Sequence, residues 1–194
     1  MSERLVRCAW ASSDLSIPYH DDEWGVPSHE ERHLFEMLVL EGAQAGLSWE
    51  TILRKRENYR RRYKNFDPAL VARVGAREIE AMMEDAGLVR NRLKIESSVQ
   101  NARSFLELAR EHGSFARWLW AYVDGSPVVT RRSRDEALPA STDLSSRISK
   151  DLRARGFRFV GPTIVYSYLQ GVGVVDDHSV DCFRSREAGP KRNR

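Results

Sequence analysis

Leu34-Phe35-Glu36-Met37-Leu38-Val39-Leu40-Glu41-Gly42-Ala43-Gln44-Ala45-Gly46-Leu47-Ser48-Trp49 is the stretch whose reading decides the fold. From Leu34 to Leu40 every position but Glu36 is apolar, the pattern of a helix buried all round rather than along one stripe. The run delivers a carboxylate, Glu41, at its end. Small residues follow, and a second helical pattern begins near Ser48 with Trp49 in its first turn. A helix, a close turn and a helix can set a carboxylate and an indole at the rim of one pocket. A plain helical hairpin, with a core Trp and a solvated Glu, fits the same letters. The rest of the chain has to decide between the two.

Outward from this stretch the chain continues to read as helices. The pattern before it spans residues 30–41. The one after it spans 48–64, with Trp49, Ile52, Leu53, Tyr59 and Tyr63 as its apolar stripe. Its other face carries Arg54, Lys55, Arg56, Arg60, Arg61, Arg62 and Lys64, which suits a solvated surface or a phosphate contact. Asp67-Pro68 starts a short helix, Asp as the cap and Pro at the first helical position. Another helix begins after Gly75 and stops at Gly87, and a long one runs from about Asn91 to His112 before Gly113. Phe115 to Val123 reads as a further helix. Residues 127–142 lack helical periodicity, and Val128-Val129-Thr130 reads as a short extended piece with no visible partner. Thr142-Asp143 caps a helix that leads to Gly156. The expected class is all-α, a compact helical domain over residues 1–183, in one body or in two lobes around a cleft. The basic tail 184–194 is expected to be disordered.

Gly156-Phe157-Arg158-Phe159-Val160-Gly161-Pro162 sits between two helical patterns, the second running from Thr163 to Gln170 before Gly171. Two glycines five apart with apolar residues between them describe a tight turn plugged into the core. Such a turn leaves backbone N–H groups beside a helix N-terminus, where phosphate binds well. This is the pattern of a helix-hairpin-helix that grips a nucleic-acid backbone, with Gly156, Arg158, Val160 and Gly161 as the DNA-binding candidates.

The chain has 194 residues, a formal net charge of +3 and two cysteines. A modest basic excess is compatible with a polyanionic partner without requiring one. Two cysteines far apart make no disulfide scaffold. No signal-peptide pattern opens the chain and no apolar run has the length of a membrane span, so a cytosolic protein is expected. Cys8 and His20 near one end, and His178 and Cys182 near the other, offer two sulfur and two nitrogen ligands. That set suits tetrahedral Zn²⁺ with no place left for water, a structural metal joining the terminal segments. Two free thiols beside ordinary histidines fit the spacing equally. Between Cys8 and residue 25, Tyr19-His20-Asp21-Asp22-Glu23-Trp24-Gly25 crowds two aromatics, an imidazole and three carboxylates into what reads as a loop.

Taken together, the chain resembles the bacterial 3-methyladenine DNA glycosylase I family. The matching pieces are Cys8-Ala9-Trp10, Tyr19 to Gly25, Leu40-Glu41-Gly42, Ala45 to Trp49, Lys55 to Tyr59, Asp85 to Arg92, Lys94-Ile95, Gly156 to Thr163, and Asp177-His178 followed by Cys182. The resemblance covers residues 8–183 in order. It implies an all-α helix-hairpin-helix glycosylase fold with one structural zinc on Cys8, His20, His178 and Cys182. It implies Glu41 as the catalytic and base-binding carboxylate, and Tyr19, Trp49, Trp10 and Trp24 as aromatics of a base pocket. The substrate implied is alkylated double-stranded DNA, with no membrane and no obligate protein partner. The activity implied is hydrolysis of the bond to 3-methyladenine without strand cleavage. Family members often carry a further tyrosine where this chain has Ser16. The segment after Gly161 contains no carboxylate, so the catalytic Asp of the wider superfamily is missing here. A zinc-tied sensor of alkylated DNA that kept the fold without turnover would share all these residues, and release of free methylated adenine separates it from an enzyme.

Overall fold

The computed structural model describes residues 5–134 and 136–187. In chain order its helices are α1 (Ser16–Asp22), α2 (Glu31–Gln44), α3 (Trp49–Arg62), α4 (Pro68–Val71), α5 (Ala76–Glu84), α6 (Arg92–His112), α7 (Phe115–Trp120), α8 (Asp143–Ala154), α9 (Pro162–Gly171) and α10 (Phe183–Glu187). A parallel ladder joins β1 (Val128–Val129) to β2 (Val175–Asp176). The fold is all-α apart from that ladder, and no helix among the described residues is long and apolar enough to cross a membrane.

Helix α2 is the axis of the molecule. Every residue from Leu34 to Ala43 is buried, and α3, α6, α7 and α9 pack around it. Its start is fixed by Glu30, whose side chain accepts from the Arg32 and His33 backbone N–H groups, satisfying donors that the first turn leaves without partners. Its end is fixed from a distance. Lys94 on α6 donates from Nζ to the carbonyls of Ala43 at 2.8 Å and Ala45 at 2.6 Å. A cation on the last carbonyls of a helix is favourable in charge and in hydrogen bonding. The helix runs three residues past the expected end at Glu41, so the carboxylate lies inside the last turn rather than after it.

Sequence and structure part in several places. Residues 16–22, read as loop, form α1, because the Ser16 hydroxyl accepts from the Ser12 and Ser13 N–H groups at 3.1 and 2.9 Å and organises the turn before the helix. The helix after Gly75 ends at Glu84, where Asp85 takes the Gly87 N–H at 2.7 Å. The Phe115–Val123 pattern divides into α7 and a 3-10 turn over Ala121–Val123. Val128 does have a partner, forty-seven residues away: Val128 pairs with Val175 and Val129 with Asp176. The segment expected to be a tail continues as α10 to Glu187, and residues 188–194 lie outside the described residues.

The basic face of α3 is largely used within the fold. Arg56, 7% exposed, donates to both oxygens of Glu23 at 2.8 and 2.7 Å and to Glu36 at 2.7 Å. Arg60 pairs with Glu36 and Glu57, Arg62 with Asp85, and Lys64 with Glu78. A guanidinium buried against two carboxylates is a positioning device whose rupture would strand a charge. It ties the segment after α1 to α2 and α3 and makes that face of α3 a poor phosphate surface.

Candidate active site

Four segments far apart in sequence meet at the cavity. Trp10 precedes α1, Tyr19 lies on α1 and Trp24 just after it, Glu41 and Gln44 come from the last turn of α2, and Trp49 opens α3. Leu138, Ser167 and Gln170 complete the wall of a cavity of about 300 Å³. Tyr19 and Trp49 lie 5.2 Å apart between ring centroids, Trp10 and Tyr19 6.1 Å, and Trp10 and Trp24 5.1 Å. All five residues expected at the pocket therefore line one cavity. Trp10 is 36% exposed at its rim, whereas Tyr19, Trp24 and Glu41 are buried. Gln44, Leu138, Ser167 and Gln170 are the lining residues that sequence reasoning missed. None belongs to a chemically distinctive pattern, and Leu138 lies in the segment without periodicity.

Glu41 is 4% exposed and its Oε2 has no hydrogen-bond partner. Burial alone pushes its carboxyl up to about 8, because low-dielectric surroundings disfavour the ionised form. The Trp49 Nε1–H is likewise buried without an acceptor. An acceptor and a donor left open in one aromatic cavity are costly in the empty protein and are offset by a ligand carrying complementary groups. The approach of α9 shapes the same place. A Cβ on Gly171 would lie 2.7 Å from Met37 Cε, 3.0 Å from the Tyr19 hydroxyl and 3.7 Å from Glu41 Oε1. Glycine there lets α9 approach the carboxylate closely, with the flexible end of Met37 as the nearest neighbour. Ser16, the first residue of α1, is buried and is absent from the cavity wall.

Behind the cavity lies a cluster of metal-ligand type. The ligand atoms of Cys8, His20 and Cys182 all fall within 4.8 Å of one another, all three residues buried. Cys182 Sγ is 3.5 Å from His20 Nε2, matching the ~3.5 Å separation that zinc–sulfur and zinc–nitrogen bonds impose across one tetrahedral ion. Both cysteines are free. His178 is not part of that tight set, but its ring centroid is 5.1 Å from that of His20, and its buried Nε2 has no partner. Each imidazole is held by its other nitrogen: His20 Nδ1 lies 2.8 Å from Asp21 and His178 Nδ1 2.8 Å from Asp176. A carboxylate on the far nitrogen is the arrangement that orients a metal-ligating histidine. Two thiols, an orphaned buried imidazole nitrogen and the carboxylate-held histidines fit a thiolate–imidazole metal ion. The rings of Trp10 and Trp24 separate the two regions, with Trp10 5.3 Å from His20 and Trp24 4.7 Å from His178.

The α8–α9 hairpin forms the third part. Phe157 and Val160 are plugged into the core, 3% and 1% exposed, so Val160 offers a partner no side chain. Gly156 adopts φ +84°. The N–H groups of Gly156, Phe157 and Arg158 are spent inside the fold, on Arg153 O, Leu152 O and Asn101 Oδ1. Asn101 also donates to Arg158 O at 2.9 Å, clamping the turn to α6. What the turn leaves for a partner is the exposed Arg158 side chain and the backbone of Val160 and Gly161 leading into the α9 N-terminus, where Pro162 occupies the first helical position. Gly42 on α2 meets the same hairpin, a Cβ there lying 3.4 Å from Phe159 Cβ, so the hairpin and Glu41 are held in one frame.

A family model described as methyladenine glycosylase matches residues 10–185. The DNA-3-methyladenine glycosylase 1 of Escherichia coli (strain K12) is 47% identical over 179 residues, covering 92% of this chain and 96% of that protein. A solved 3-methyladenine DNA glycosylase I is 46% identical, with a TM-score of 0.88 over 92% of this chain and 98% of its own. The Staphylococcus aureus 3-methyladenine DNA glycosylase I is 36% identical, with a TM-score of 0.89 over 96% and 98% of the two chains.

Proposed function

This chain belongs to the methyladenine glycosylase family, and we propose that it excises 3-methyladenine from alkylated DNA by hydrolysing the N-glycosidic bond, the entry step of base excision repair. The observation that carries the reading is Glu41, a buried carboxyl with an open oxygen in a cavity walled by Tyr19, Trp10, Trp24 and Trp49.

The bond to be broken lies inside the base stack, so the damaged nucleotide has to be turned out of the duplex to reach the cavity. Methylation of adenine at N3 while N9 remains attached to sugar makes the base cationic and a good leaving group. Little acid catalysis is then needed. What is needed is preference for the charged base. The π-faces of Trp49 and Tyr19 attract a cation, and Glu41 accepts hydrogen bonds from the amino side of the base. Entry of the positive charge favours the ionised carboxylate. Water attacks C1′ as positive charge develops there, and the hairpin, through Gly161 at the α9 N-terminus and Arg158, holds the neighbouring phosphates.

One Zn²⁺ on Cys8, His20, Cys182 and His178 would act structurally, joining the terminal segments behind the aromatic wall with all four positions filled by protein. Lys94, which reaches the end of α2, has its ammonium on the carbonyls of Ala43 and Ala45, which supports hydrolysis without a Schiff-base step. The working place of such an enzyme is the bacterial cytosol, on DNA. The test is chromatography of the bases that purified protein releases from methylated duplex. Free 3-methyladenine with intact strands is the expected product. Tight binding to the same DNA with no released base would replace the enzyme by a sensor.

A further inference from the structure

Gln170 belongs to α9, lines the cavity and is 6% exposed. Its Nε2 donates to Asp177 Oδ2 at 2.6 Å, and the same amide faces the Tyr166 hydroxyl. Asp177 is itself buried and also accepts from the hydroxyls of Tyr166 and Thr130. A carboxylate has only acceptors to offer, so it selects the NH₂ side of the amide and turns the carbonyl away. The geometry points to Gln170 as a specificity-determining acceptor in the base pocket, with Asp177 as the positioning residue that holds its Oε1 toward the bound base.

Three polar groups then face the ligand. Glu41 and Gln170 supply acceptors from α2 and α9, two helices brought together at Gly171, and Trp49 Nε1 supplies a donor. The class that fits is a purine with an exocyclic amino group and a ring nitrogen lone pair. A purine bearing a carbonyl in place of the amino group sets two lone pairs against each other, and buried polar groups left without partners are what make such a site discriminate. The inference rests on the glycosylase reading for the identity of the pocket, but its test does not depend on turnover.

The probes are free 3-methyladenine and 3-methylhypoxanthine, titrated into the full chain with zinc in the buffer and read by tryptophan fluorescence, with thermal melting alongside. Wild type should prefer the amino compound. Gln170→Met keeps the volume and removes the acceptor, and should shrink the preference by about fivefold or more. Asp177→Asn can donate to Gln170 and release the amide to turn, and should also lower or invert the preference, which a merely structural role would leave alone. An unchanged ratio in folded Gln170→Met overturns the inference. If that variant does not fold, an unchanged ratio in Asp177→Asn does so, as does a wild type without preference. Base release from methylated DNA is measured in parallel. Release by wild type with an unchanged ratio in the variants sinks the inference alone. No release, with ratios as expected, sinks the glycosylase reading and leaves the recognition of the base standing.

Discussion

Glu41 is a buried carboxyl, and that has a consequence for stability. Its folded value of about 8 exceeds the ordinary 4.5. Between those values the folded chain keeps a proton that the unfolded chain has lost. Its contribution is therefore full below about 4.5, falls as pH rises to about 8, and is flat above. The slope reaches up to about 1.4 kcal/mol per pH unit. Glu41→Gln should remove it: melting temperatures at pH 5.5 and 8.5 should show wild type losing more than the variant, whereas equal losses would mean that Glu41 is hydrated. At this scale the sequence was informative where chemistry is concentrated. Glu41, Trp49 and the Tyr19–Trp24 cluster stand out by type and spacing. Gln170 and Ser167 do not, because a glutamine or serine on an apolar helix looks like any other until a cavity opens beside it.

Helices and their caps were legible for local reasons. Asp67 accepts from Ala69 and Leu70, Thr142 from Ser145, and Gly113 ends α6 at φ +87°, each signal lying within four residues of what it decides. The β1–β2 ladder was not legible because two-residue strands carry no periodicity and their register is set by the β1 and β2 backbones meeting across the fold. The hairpin sits between these cases: its turn was readable, but the clamping of Arg158 N–H by Asn101 was not. The proposed DNA contact through it can be tested at Gly161. The φ of −62° there suits any residue, and the nearest atom to an added Cβ is the tip of Arg153 at 3.3 Å. Gly161→Val should fold and bind both methylated and plain duplex about tenfold more weakly, since phosphate contacts carry little sequence information. Unchanged affinity in a gel-shift titration would move the DNA surface elsewhere.

Across the whole molecule, the first and last described segments are tied together behind the pocket. Phe183 N donates to Val6 O at 2.9 Å, Ser179 N meets Cys8 Sγ at 3.4 Å, and the His20 and His178 imidazoles back onto Trp10 and Trp24. The four candidate ligands were visible in the sequence as the chain's two cysteines and two well-placed histidines. Their carboxylate supports and their contact with the pocket wall were not, since these depend on packing. Chelation, or Cys182→Ser, should lower the melting temperature and weaken binding of free 3-methyladenine together, because the same rings serve both sites. Elemental analysis should find about one zinc per chain, and metal-free reduced protein with full stability would exclude the structural ion. The measurement that bears most directly on the account is single-turnover excision of 3-methyladenine from duplex DNA, under subsaturating enzyme, from pH 6 to 9. For wild type the apparent second-order rate should rise with pH through a half-maximum near pH 8 as the free enzyme's Glu41 ionises. Glu41→Gln should be slower with that limb gone. A wild-type profile that does not rise, or the same profile in both proteins, would contradict the assignment of Glu41 as the group that selects the charged base.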